Sequence, residues 1–234
     1  MADSPVLIIT GASSGIGAES ARHAVAAGYR VVLGARREPE LQALAAELGG
    51  DERAIAVRCD VTEWGDCERL AEAAIDAYGG FEAVYANAGF GAKRGFLEES
   101  PEQWRAMILT NVLGVAHTIR ATLPHLLERD RGHVLITGSV AGRRALPGSL
   151  YSATKWAVTG IGESLRAELR QMHSNETIRV TLIEPGMTDT PFFEDRPRGA
   201  LADADIARAV VYALSQPEHV DVNEILIRPT SQPT

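Results

Sequence analysis

The chain has 234 residues, 45% of them hydrophobic and 23% charged, with a formal net charge of −8. That length suits a single α/β domain, residues 1–234, with a sizeable core, and the composition argues against a disordered or fibrous chain. No basic run exceeds the pairs Arg36-Arg37 and Arg143-Arg144, so no nucleic-acid partner is expected, because phosphate neutralisation needs clustered Lys and Arg.

Met1 to Pro5 passes straight into an apolar run without a basic segment ahead of it, and cytoplasm is the expected location. A strand is predicted at 6–10 and a helix at 16–27. They are followed by a strand at 30–34, a helix at 39–48, a strand at 54–59, a helix at 64–78 and a strand at 83–86. A long helix at 102–129 precedes a strand at 133–137, a helix at 152–172, a strand at 180–183, a helix at 203–214 and a strand at 224–228. Most strand candidates are nearly continuous apolar runs, the pattern of strands buried on both faces, and the βα alternation predicts a doubly wound, mostly parallel sheet of about seven strands: a Rossmann fold. Ligands of such sheets bind beyond the carboxyl ends of the strands. The segment 186–201, with Pro191, Pro197 and Gly199, is the one long loop and a candidate substrate lid. No uninterrupted apolar stretch reaches the roughly 18 residues of a membrane span, so no membrane partner is expected. The two cysteines, Cys59 and Cys67, fit a reducing compartment, and the six histidines show no metal-ligand spacing, His117 and His125 being eight apart. No metal is predicted.

Directly after the first strand come Thr10, Gly11, Ala12, Ser13, Ser14, Gly15, Ile16 and Gly17, opening a helix. Glycines there permit a tight turn, and the free amides and positive dipole end of the helix attract a pyrophosphate. The same stretch satisfies the G-x-S-x-G pattern of a serine hydrolase, with Ser13 as nucleophile and His219 as a base late in the chain. That elbow normally follows several strands, whereas this one follows the first.

Tyr151 and Lys155 are four apart at the start of the helix after the fifth strand, so phenol and ammonium share one helical face. Ser139 stands just past that strand, at the sheet edge where the ligand crevice is expected. Carbonyl reduction leaves an alkoxide that must be protonated as hydride arrives, and an ammonium beside a phenol is expected to lower its pKa from about 10 towards neutrality. Ser139 is read either as a donor to the substrate oxygen or as a turn hydroxyl bonded to its own backbone. Asn111, a poor helix former inside a predicted helix, is read either as a kink or as a functional relay.

With these residues in place the chain resembles the short-chain dehydrogenase/reductase family over essentially its whole length. The turn at Gly11 to Gly17 resembles the family's cofactor fingerprint. Asp60 and Val61 match the segment that contacts adenine, and Asn87, Ala88 and Gly89 match the motif that lines the cofactor cleft. By the same resemblance Asn111, Ser139, Tyr151 and Lys155 form the catalytic tetrad, with Asn111 holding a water of the proton relay and Lys155 bonding the nicotinamide ribose. Pro185, Gly186, Thr188 and Thr190 lie in the segment implied to touch the nicotinamide carboxamide. The ending from Val222 to Thr230 resembles a subgroup that oxidises 3-hydroxy acids or reduces small carbonyls. The implied activity is hydride transfer between a nicotinamide cofactor and a small carbonyl or alcohol. A non-catalytic cofactor sensor on the same fold is the alternative.

The second strand ends without the acid that normally receives a ribose 2′-hydroxyl: Ala35 stands 18 residues after Gly17, where that acid is expected. Arg36 follows, and its guanidinium can grip a 2′-phosphate through paired hydrogen bonds. With the resemblance, this makes NADP(H) the expected cofactor, NAD(H) remaining possible, while Arg37 is read as solvating the next helix. Met107, Ile108, Val112, Val115, Trp156, Ile161 and Leu165 make the two long helices apolar over more than one face, and a homodimer or homotetramer is expected.

Overall fold

The computed structural model describes residues 4–91, 95–147, 150–190 and 199–232. The chain runs β1 (Val6–Thr10), α1 (Gly15–Ala26), β2 (Arg30–Ala35), α2 (Glu38–Glu47), β3 (Ala54–Arg58), α3 (Trp64–Tyr78) and β4 (Ala83–Ala86). It continues through α4 (Pro101–Ile108), α5 (Gly114–Glu128), β5 (Gly132–Thr137), α6 (Leu150–Gln171) and β6 (Ile178–Pro185). The short strands β7 (Thr188–Asp189) and β8 (Leu201–Ala202) precede α7 (Asp203–Leu214) and β9 (Glu224–Ile227). Seven strands form one sheet in the order β3-β2-β1-β4-β5-β6-β9, every pair parallel. The expected doubly wound α/β sheet is thus the observed one.

The continuous apolar runs reflect two cores, one on each face. Ile8, Val32, Val84, Val134, Ile136 and Leu182 point to the side covered by α3, α5 and α6, where Leu70, Leu126 and Leu169 meet them. The alternate residues Leu7, Ile9, Leu33, Tyr85, Leu135 and Ile183 face α1, α2 and α7. Each such side chain taken fully from water contributes on the order of 1.5–3 kcal/mol, so both faces anchor the sheet. The chain moves outward from β1 to β3 and then returns to β4 on the other flank of β1. That reversal opens a crevice beyond the carboxyl ends of β1 and β4.

The helix predicted at 102–129 is three elements. A capping box, with Ser100 accepting from the Gln103 amide and Gln103 from the Ser100 amide, starts α4, and a π-helical turn at Leu109–Leu113 separates α4 from α5. Asn111 lies in that wide turn, where the regular α-helical run is interrupted. The whole run Pro101–Glu128 is long and apolar enough to cross a membrane by length and composition. In the fold it buries Met107, Val115, Ile119, Leu123 and Leu126 inside the protein.

Candidate active site

The glycine turn leaves no room for a side chain at Gly11 or Gly17. Gly11 and Gly15 have φ of +68° and +55°, values that glycine tolerates without cost. A Cβ on Gly17 would lie 2.4 Å from the Gly11 carbonyl oxygen and 2.7 Å from Asn87 Nδ2. The Ser14 side chain does not cap α1, and its first turn holds no acid. The start of α1 therefore offers backbone amides and the positive end of its dipole to an anion, and Gly11, Ser13, Ser14, Gly15, Ile16 and Gly17 together fit the pyrophosphate of a dinucleotide.

A polar seam ties the carboxyl ends of three strands to α6. Thr10 Oγ1 accepts from the amides of Asn87 (3.0 Å) and Ala88 (3.2 Å), and Asn87 Nδ2 donates to the Thr10 carbonyl at 3.0 Å. Thr137 Oγ1 donates to Asn87 Oδ1 at 2.9 Å, so its contact with the Tyr85 phenol at 2.8 Å has Tyr85 as donor. The Thr137 carbonyl then accepts from Lys155 Nζ at 2.7 Å. Neither Thr137 nor Tyr85 was singled out from the sequence. A threonine closing an otherwise apolar strand was the available signal.

Tyr151 and Lys155 share a face of α6 as their spacing predicts, with Lys155 Nζ 5.7 Å from the Tyr151 ring centroid. Burial pushes the Tyr151 phenol up to about 12, opposed by a hydrogen bond with Ser139, and burial pushes Lys155 down to about 8. The expected lowering of the phenol by the ammonium is not found here: Nζ is spent on the Thr137 carbonyl, and loss of solvent outweighs its field. At neutral pH the phenol therefore holds its proton and the lysine keeps its charge. Ser139 follows the turn reading, since its hydroxyl accepts from the Ala141 amide at 3.1 Å, and it also bonds the phenol.

Asn111 is 1% exposed. Its Oδ1 accepts from the Phe90 amide at 3.0 Å, and its Nδ2 donates to the Phe90 carbonyl at 2.9 Å and to Thr154 Oγ1 at 3.2 Å. Thr154 in turn donates to the Tyr151 carbonyl at 2.7 Å, so Asn111 braces the Tyr151 turn from below. A Cβ on Gly89 would lie 3.1 Å from Asn111 Oδ1, which explains glycine after Asn87 and Ala88. A model of the short chain dehydrogenase family matches residues 5–200.

The chain belongs to the short chain dehydrogenase family. An oxidoreductase of Staphylococcus epidermidis is 38% identical over 228 residues, covering 96% of each chain. Among solved structures, an alcohol dehydrogenase of the archaeon Thermococcus sibiricus, complexed with 5-hydroxy-NADP, matches with a TM-score of 0.87 at 32% identity over 98% of both chains. A serine dehydrogenase in its closed form with NADP+ matches with a TM-score of 0.89 at 29% identity, covering 98% of this chain and 96% of that one.

The remaining candidate residues of this short chain dehydrogenase follow β2, β3 and β6. Asp60 Oδ1 is occupied by the amide and hydroxyl of Thr62 at 3.0 and 2.9 Å, which holds the Asp60–Val61 turn. Arg36 is exposed at the end of β2. Arg37 does more than solvate the start of α2, where it pairs with Glu40 at 3.7 Å: it also reaches back over the glycine turn, with Nη2 donating to Ser13 Oγ at 2.9 Å and to Ser14 Oγ at 2.6 Å. This also removes the support for a Ser13 nucleophile, whose hydroxyl meets a guanidinium that cannot accept a proton. Beyond β6, Pro185 and Gly186 lead to Thr188, 4% exposed, whose hydroxyl donates to the Gly186 carbonyl at 3.2 Å. Strands β7 and β8 pair at the two ends of the long loop, Thr190 ends the described part, and 191–198 lie outside the described residues. Among the described residues no cluster of His, Cys, Asp or Glu is arranged to hold a metal.

Proposed function

We propose that this oxidoreductase transfers hydride between NADP(H) and a small carbonyl or alcohol, with Tyr151 as the general acid and base. The observation that carries the reading is the polar seam from Thr10 through Asn87 and Thr137 to Lys155, which brings the turn holding Tyr151 to the carboxyl edge of the sheet beside the glycine cradle. The relatives named as alcohol and serine dehydrogenases, found with NADP compounds, support the same substrate range, 3-hydroxy acids included.

The glycine turn would hold the pyrophosphate, Asp60 and Val61 the adenine side, and Asn87, Ala88 and Gly89 the floor of the cleft. Pro185, Gly186, Thr188 and Thr190 would border the nicotinamide, and 186–201 would close over the substrate. When bound, the nicotinamide supplies or accepts the hydride. In reduction Tyr151 passes its phenolic proton to the carbonyl oxygen, which the Ser139 hydroxyl holds in line. The charge of Lys155 steadies the phenolate left behind, and Asn111 fixes the turn on which this proton transfer depends. A phenol that keeps its proton at neutral pH, as burial dictates here, is in the form that reduction needs. Exposed Ile108 and Trp156 support a homodimer or homotetramer paired through α4 and α6, although Met107, Val115 and Leu165 are spent on the chain's own core. Sedimentation at micromolar concentration tests that assembly.

For the cofactor, Ala35 leaves no carboxylate at the end of β2 to repel a 2′-phosphate, and Arg36 beside it is exposed and could meet one. Steady-state kcat/KM with a panel of aldehydes and ketones should be higher with NADPH than with NADH. The double change Ala35→Asp with Arg36→Leu should move the preference towards NADH. Equal or better efficiency on NADH in the unaltered protein would overturn the cofactor assignment. Tight cofactor binding with no turnover on any carbonyl or alcohol would point instead to a sensor.

A further inference from the structure

A largely apolar cavity with cationic walls borders segments adjoining the proposed reacting centre, and its charge is not used by anything described above. It encloses about 240 Å³ between the turn that follows Ser139 and the end of β9. Val140, Leu146 and Leu226 give it apolar walls, while Arg143, Arg144 and Arg228 give it cationic ones. The cavity touches both segments that flank the reacting centre. Val140 directly follows Ser139 and begins the short turn that the Ser139 hydroxyl caps. On the other side, Gln232 Oε1 accepts from the Met187 amide at 2.9 Å, and a Cβ on Gly186 would lie 3.1 Å from Arg228 Cα.

The three arginines are not equivalent. Arg143 is compensated, with Nε donating to buried Glu184 at 2.7 Å and Nη2 in contact with Glu224. Among the described residues Arg144 and Arg228 have no carboxylate within ion-pair reach and no side-chain hydrogen bond. In a chain of net charge −8, Arg144 and Arg228 bring two such guanidinium groups to one partly apolar cavity. Guanidinium pairs match the planar oxygens of a carboxylate, and the apolar walls suit a short carbon chain between that carboxylate and a carbonyl at Ser139 and Tyr151.

Resting on the reductase reading above, we propose that Arg144 and Arg228 form an anion-recognition subsite that selects carbonyl and hydroxyl substrates bearing a carboxylate. A neutral analogue of the same length would leave the cavity's charges unpaired and lose that selection.

The test is steady-state reduction, at saturating NADPH, of ω-oxo acids of increasing chain length and of the corresponding ω-oxo amides. The unaltered protein should prefer one acid over its amide by about tenfold or more in kcat/KM, the range that charge-assisted hydrogen bonds supply. Arg144→Gln and Arg228→Gln should each reduce that ratio about tenfold, chiefly through KM for the acid. Arg228→Lys should recover part of the ratio. Melting temperatures of the variants identify any that fail to fold, in which case the ratio in Arg228→Lys decides. Turnover of amides and acids at equal efficiency, unaffected by either arginine, would overturn the subsite and leave the reductase reading standing. Absence of turnover on every compound with either cofactor would sink the reductase reading, and the subsite with it.

Discussion

Replacing Gly17 by alanine should damage both the fold and the cradle, by an amount the geometry sets. The new Cβ would lie 2.4 Å from the Gly11 carbonyl oxygen and 2.9 Å from the Gly11 carbonyl carbon, both backbone atoms, and 2.7 Å from Asn87 Nδ2. Relative to the ~3.5 Å of an unstrained contact, the turn must open by about 1 Å. Overpacking of this kind costs about 1–3 kcal/mol, set against the ~1 kcal/mol that alanine gains over glycine inside a helix. A net loss of up to about 2 kcal/mol corresponds to a Tm lower by up to roughly 8 °C for a chain of this length. Because the displaced groups are the cradle itself, the Kd for NADPH should rise by about tenfold or more, the equivalent of one or two hydrogen bonds to a charged group. Gly65→Ala is the control: it also lies in a helix, and its added Cβ meets only the flexible end of Arg69 at 3.4 Å, so Tm should hold or rise and Kd should not move. Differential scanning calorimetry and fluorescence titration read the two quantities. A Gly17→Ala protein with unaltered Tm and unaltered Kd would refute the cradle.

Asn111→Ala removes three hydrogen bonds and leaves the Phe90 amide and carbonyl without their partner. Urea unfolding should show a loss of about 2–4 kcal/mol, and a loss within error of zero would contradict the bracing role. His133 supplies a pH dependence. Thr181 donates its only hydroxyl proton to the Val222 carbonyl at 2.6 Å, so His133 Nε2 must donate to Thr181 at 2.7 Å, which leaves buried Nδ1 as a bare acceptor. Burial holds this imidazole well below its ordinary pKa. The unfolded chain therefore binds the extra proton first, and stability should fall as pH drops below about 6.5, by up to ~1.4 kcal/mol per pH unit for this one group. Stability that is flat on acidification, or a slope that His133→Gln does not reduce, would count against it. For catalysis, burial of Tyr151 predicts that kcat/KM for alcohol oxidation, which needs the phenolate, climbs with pH, whereas reduction stays level through neutrality. A reduction rate that falls steadily from acid to neutral pH would not fit.

The parts legible in the sequence are those governed by periodicity and by local chemistry. Continuous apolar runs announced strands buried on both faces, and the glycines of 11–17 and the Tyr151–Lys155 spacing announced positions that hold in the fold. Groups paired across distant segments were not legible. Thr137 joins Asn87 and Lys155, 50 and 18 residues away, and nothing local to that threonine reveals either partner. The π turn at Leu109–Leu113 is another such case, because it is Asn111 bonding Phe90, 21 residues earlier, that accompanies the break in an otherwise helical run. Arg36 and Arg37 are indistinguishable as a dipeptide. Only the position of Ser13 and Ser14 across the crevice shows that Arg37 folds onto the turn. The phenol's pKa was misjudged for the same reason, since proximity of an ammonium is visible in spacing whereas loss of solvent is visible only in the packed structure.

The central claim is that Tyr151 moves the proton, and Tyr151→Phe tests it with one atom removed. General acid assistance is worth roughly 10²–10⁴ in rate, so kcat for carbonyl reduction with NADPH should fall by that factor. Because the phenolic hydroxyl bonds Ser139 and the seam that builds the cradle reaches α6 through the Lys155 ammonium, Kd for NADPH and Tm should stay close to the unaltered values. A Tyr151→Phe enzyme that binds NADPH normally and keeps most of its turnover would contradict the assignment.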